Sequence, residues 1–85
     1  MDSIIVTVTN MTKSFLYDLE VPVNEEVEKL KNDIVAALNG YDEALKLEPA
    51  VIRLFCNRIG RRLRENETLE RAGVWNGDYI TIIEV

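Results

Sequence analysis

The spacing of apolar residues along this 85-residue chain changes twice, and each change marks a boundary between predicted elements. "SIIVTVT" (residues 3–9) is rich in β-branched side chains and reads as a strand. After the polar turn "NMTK", the run "FLYDLEV" alternates cleanly. Phe15, Tyr17, Leu19 and Val21 fall on one face, and Leu16, Asp18 and Glu20 on the other. Two such runs predict a half-buried hairpin, closed by Pro22. The period then lengthens. Val27, Leu30, Ile34, Ala37 and Leu38 recur at three- and four-residue spacing, which predicts a helix from about residue 25 to 39 with one apolar stripe. Asn24 is its expected N-cap, and Glu25, Glu26 and Glu28 favour its positive end. Gly40 is placed to stop it.

Residues 41–48, "YDEALKLE", admit two readings, a short helical turn or an ordered loop leading to Pro49. Residues 50–56, "AVIRLFC", return to a period of two. With Arg53 toward water, Val51 and Phe55 also point outward, and Ile52, Leu54 and Cys56 point inward. Gly60 marks a turn, "RRL" a short strand and "TLERAGV" a short turn of helix. Asn76–Gly77 forms a tight turn. "YITIIEV" is a last strand with Ile80 and Ile82 inward and Thr81 and Ile83 outward. One helix covers one face of the resulting sheet, leaving the other open. The expected core is Leu30, Ile34, Leu54, Leu63, Leu69 and Ile82.

Composition narrows the class. Hydrophobic residues make up 47% of the chain, enough for one packed domain over residues 1–85 and too many for disorder. No apolar run is long enough to span a bilayer, so direct membrane insertion is not expected. "MDSIIVTVTN" lacks the layout of a signal peptide. Cys56 is the only cysteine, which forbids an internal disulfide and suits a reducing compartment. A cytoplasmic location is the expectation.

The net charge of −5 disfavours nucleic acid and anionic membrane as partners. Five of the ten bases, however, are Arg53, Arg58, Arg61, Arg62 and Arg64, with no acid among them. Such a group either keeps the surface soluble, meets an acidic partner, or docks on the chain's own acidic helix by self-association. Reading nucleic acid would require aromatic platforms beside these arginines, and only Phe55 is available.

Chemistry is sparse. With no histidine there is no catalytic triad, imidazole base or histidine ligand. One cysteine builds no zinc site. Cys56 reads as a packed core residue, and Gly60 and Gly77 lack the spacing of a phosphate loop. No enzymatic activity, cofactor or metal is expected. Trp75 has two readings, a ring covering the edge of the core or an exposed anchor for a partner. Tyr41 and Tyr79 are expected to pack.

The element order, with "RLF" (residues 53–55), "L-x4-TL" (63–69) and "GVWNGDYITI", resembles the ubiquitin-like β-grasp family over nearly the whole chain. That resemblance implies an α+β fold, a mixed sheet of about five strands packed on one helix. The G-[I/V]-x-N-G-D turn is similar to that of the small tail-less ubiquitin-like accessory proteins of bacterial type VII (WXG-type) secretion systems, YukD/EsaB-like, and of a related cytosolic domain of a membrane component. In conjugated modifiers a flexible Gly-Gly tail carries the chemistry, whereas this sequence ends at Val85. The resemblance therefore implies a non-conjugated accessory or regulatory subunit that binds protein partners. The alternatives are an interaction domain of another multiprotein assembly, or a truncated modifier or sulfur carrier. By resemblance, Phe55 and Ile83 fall on ubiquitin's apolar partner-binding patch, with Met11 near it. Arg53 and Thr81 would form a polar rim, and Arg61, Arg62 and Trp75 complete the candidate partner-binding residues.

Overall fold

A computed structural model describes residues 2–85. The elements in chain order are β1 (Ser3–Asn10), β2 (Leu16–Pro22), α1 (Val27–Tyr41), a 3-10 turn (Pro49–Val51), β3 (Ile52–Cys56), β4 (Arg61–Arg62), α2 (Leu69–Ala72) and β5 (Tyr79–Glu84). The sheet order is β2-β1-β5-β3-β4. β1 and β5 run parallel at the centre, and the other neighbours are antiparallel. This is the mixed five-stranded sheet on one main helix expected of a β-grasp fold.

The inward positions of each run meet in one core. Val6, Val8, Leu54, Ile80 and Ile82 of the sheet, Leu30, Ile34 and Leu38 of α1, Leu63 of the loop after β4, and Leu69 of α2 are all buried. Cys56 is fully buried among them, as expected. α1 also buries Lys31, which the stripe did not include. Its ammonium reaches Glu65 Oε1 at 2.6 Å and the Ile52 carbonyl at 3.4 Å, tying the helix to the loop before α2. A buried ammonium needs such partners, because burying it unpaired is costly.

The ends of α1 differ from expectation for a physical reason. Asn24 does not cap it. The N-cap is Glu26, whose side chain makes no capping bond. The first amides are satisfied from across the chain, Val27 N–H by the Glu67 carbonyl (2.8 Å) and Glu28 N–H by the Glu65 carbonyl (3.0 Å). Nor does Gly40 stop the helix. α1 runs through Tyr41, whose ring meets Tyr17 at 5.5 Å between centroids. Glycine in a helix costs about 1 kcal/mol, which aromatic contact beyond it helps to offset. Residues 42–48 form a turn and loop pinned by Asn39, which bonds both the amide and the carbonyl of Leu47.

The third strand begins later than its apolar run suggests. Pro49 starts a 3-10 turn through Val51, so Val51 is exposed on that turn rather than on the strand. At α2 the local signals hold. The Thr68 side chain accepts from Arg71 N–H, and Gly73 takes the left-handed conformation (φ 80°) that ends the helix.

Candidate functional site

The face of the sheet opposite α1 follows from the strand registers. Across one row lie Leu16, Thr9, Thr81, Phe55 and Arg62; across the next lie Asp18, Thr7 and Tyr79. On the other side of the first row, Ile83 opposes Arg53. Phe55, Ile83 and Arg53 are half-buried, and Arg62 is exposed. Met11, in the β1–β2 turn, is 72% exposed. That turn is stiffened by Asn10, whose side chain bonds Ser14 twice while its carbonyl accepts from Lys13 N–H.

Thr81 departs from expectation. It does lie on the outward side, but it is 8% exposed, and neighbouring Thr9 is 1% exposed. Lys13 of the β1–β2 turn lines a shallow cleft with Asn57, Asp78 and Tyr79. Both hydroxyls are satisfied internally, Thr81 donating to Asn57 Oδ1 (2.7 Å) and Thr9 to the Phe15 carbonyl (2.6 Å). Thr81 is thus part of the floor and contributes no exposed rim. Leu16, at 54% exposure, belongs to the same row and adds to the expected site residues. The signal was present in its outward phase beside Asp18 and Glu20.

The arginine group is partly neutralised by folding. Arg61 makes a bidentate pair with Glu67 (2.7 and 3.1 Å), and this holds the Glu67 carboxyl below the usual carboxylate range. Arg58 pairs with Asp78 through Nε and an amino group. Arg53 turns back on the Ile52 carbonyl (2.8 Å). Among the described residues, Arg53, Arg62 and Arg64 have no carboxylate within salt-bridge distance.

Trp75 stands at the other end of the sheet from Met11 and Ile83, because the turn it begins bonds to the start of β1. Asn76 Oδ1 accepts from Ile5 N–H (2.8 Å) and Gly77 N–H donates to the Ile5 carbonyl (2.7 Å). Gly77 has φ 90°, which favours glycine. The Trp75 ring does not cover the core. It is 62% exposed, with the Arg58 guanidinium 3.6 Å from its centroid. Tyr41 and Tyr79 are also exposed, against the packing expectation, although Tyr41 keeps its contact with Tyr17. The Asp78 carboxylate organises this end. It is buried, accepts from Arg58 and from Trp75 N–H (2.8 Å), and is held below its ordinary pKa chiefly by Arg58.

A parallel central pair, one grasping helix and an outward face with an apolar group define a ubiquitin-like protein. Solved structures agree. An archaeal ubiquitin from Caldiarchaeum subterraneum superposes with TM-score 0.76 at 27% identity, covering 98% of this chain and 94% of that one. A ubiquitin-like domain of Arabidopsis thaliana gives 0.77 at 22% identity, covering 99% and 79%. The ubiquitin-like domain of Plasmodium falciparum Dsk2 gives 0.75 at 17%, covering 98% and 99%. No curated protein matches the sequence significantly. Residues 4–82 match the family described as "WXG100 protein secretion system (Wss), protein YukD", and the chain belongs to that family.

Proposed function

We propose that this chain is a non-covalent, protein-binding accessory or regulatory subunit of a WXG100 (type VII) secretion machine, working in the cytoplasm. It docks its partner through the outward face of the sheet. The observation that carries this reading is the clustering of Phe55, Ile83, Leu16 and Met11 around two threonines whose hydroxyls are already satisfied. Such a face gains little from water and offers apolar area to a partner. Arg53 and Arg62 border it and lack acidic partners among the described residues.

A standard interface buries about 800 Å² per partner. Against a total accessible surface of 5182 Å², that is roughly one-sixth. The contact therefore extends past Phe55 and Ile83 to the turn at Met11 and to the arginines.

Phe55→Ala and Ile83→Ala should each weaken association with the secretion component captured from the native cell by roughly 1–2 kcal/mol. Calorimetric titration measures this, with thermal melts of each variant as the control. Binding that is unchanged in both variants would place the partner elsewhere. A separate test concerns charge. Arg62→Glu should slow association and flatten its dependence on salt, at a cost of about 1 kcal/mol or less. Arg62 is preferred to Arg61 for this test, since Arg61 is engaged with Glu67 and its replacement would perturb the loop.

A further inference from the structure

The sheet has two edges. One ends in β4, only two residues long; the other is β2, with seven. The phase of the β1–β2 ladder fixes which β2 groups are free. Val23 N–H donates to the Asp2 carbonyl (3.0 Å), so bonded pairs recur at Ile4–Val21, Val6–Leu19 and Val8–Tyr17. The amides and carbonyls of Leu16, Asp18 and Glu20 therefore point away from β1, along an open edge.

Beside that edge runs a groove between β2 and α1, about 280 Å³ in volume. Leu19, Val21, Leu30, Ile34 and Ala37 form its apolar floor, and Asp33 stands on its helical rim. Tyr41, exposed and packed against Tyr17, closes one end. On the opposite side of the same strand, the Asp18 and Glu20 carboxylates are bonded, among the described residues, only to the neutral hydroxyls of Thr7 and Ser3. Asp33 shares Lys29 at 3.6 Å.

The geometry points to a second docking site, at the β2 edge rather than at the Phe55–Ile83 part of the outward face, at which an extended segment of a partner protein pairs with β2. The segment alternates apolar and basic residues. A strand added to this edge turns alternate side chains to opposite faces, so one set enters the apolar groove and the other lies beside Asp18 and Glu20. Cross-strand neighbours of opposite charge stabilise such a pair, and like charges oppose it. The same rule disfavours a second copy of this chain. β2 against β2 would place Asp18 and Glu20 among their own kind, and β4 is too short to serve as the added strand.

The test uses the whole protein, isotope-labelled, and a short capped peptide of alternating valine and lysine. Saturable shifts are expected in the amide signals of Leu16, Asp18 and Glu20, and in those of Ile34 and Ala37 across the groove. Alternating valine and glutamate should produce none. The valine–lysine peptide N-methylated on its edge-facing amides should not bind, because it cannot extend the ladder. Asp18→Lys with Glu20→Lys should weaken binding by ~10-fold, two surface pairs turned from attraction to repulsion. Asp33→Asn, which leaves β2 untouched, should weaken it less. The proposal is overturned if neither peptide binds, if the glutamate peptide or the N-methylated peptide binds equally well, or if the shifts centre on Phe55 and Ile83. Concentration-dependent shifts of β2 in the free protein would instead assign the edge to a second copy and overturn the partner assignment.

Discussion

Truncating Leu54 to alanine should destabilise the fold by about 2–5 kcal/mol, with Ile34→Ala in the same range. Leu54 is 1% exposed, in a strand flanked by β4 and β5, and it opposes Ile82 in the ladder. Its carbonyl also accepts from Leu63 N–H (2.7 Å), so any backbone adjustment to fill the cavity would strain the loop toward α2. Ile34, 3% exposed, packs onto the sheet from the middle of α1. For a domain of this size the total stability is of order 4–13 kcal/mol. One such change therefore removes a large part of it, lowering the melting temperature by roughly 10 °C or more. Thermal melts followed by circular dichroism give the answer directly. Melts within a few degrees of the parent in both variants would show that these side chains are not the centre of the core. Phe55→Ala should fall well short of this loss, since Phe55 is only half-buried. That separation lets a binding defect there be read as a binding defect.

The core was legible because burial in this fold follows local periodicity. Phe15 just before β2, Leu19 and Val21 in β2, Val27, Leu30, Ile34 and Leu38 in α1, and Ile52, Leu54 and Cys56 in β3 sit where a period of two or 3.6 places them. The helix ends were not legible. The amides of Val27 and Glu28 are satisfied by carbonyls at Glu67 and Glu65, and no local signal announces a cap supplied from so far along the chain. Thr81 illustrates the same limit at the candidate site. Its outward phase was correct, but it is only 8% exposed and its hydroxyl donates to Asn57, a partner 24 residues earlier that local phase does not show. The arginine group read as one patch because the sequence shows their neighbours in order, not the acids that folding brings to Arg58 and Arg61.

The aspartate of the "NGD" turn, a mark of the family resemblance, has a structural task. Asp78→Ala should cost about 1–3 kcal/mol and loosen Trp75. The carboxylate receives Arg58, Trp75 N–H and, more weakly, the Cys56 thiol at 3.8 Å. Removing it strands those donors at the end of the sheet. The loss should stay below that of a fully buried ion pair, because the Arg58 side chain is 36% exposed and water can replace part of the contact. Proton binding supplies an independent check with a definite sign. Asp78 and Glu67 both have folded pKa values below their unfolded ones, chiefly through Arg58 and Arg61. The unfolded chain therefore binds more protons in acid. The stability these groups contribute is present above their unfolded pKa, about 4, and is lost as pH falls through the folded values. Urea titrations between neutral pH and about pH 3 should show parent stability declining below about pH 4, with a shallower decline in Asp78→Asn. Trp75 fluorescence should shift in that variant even at neutral pH, where Arg58 has lost the group that holds it over the ring. An unaltered acid slope together with unaltered fluorescence would show that the Arg58–Asp78 pair neither stabilises the fold nor positions Trp75.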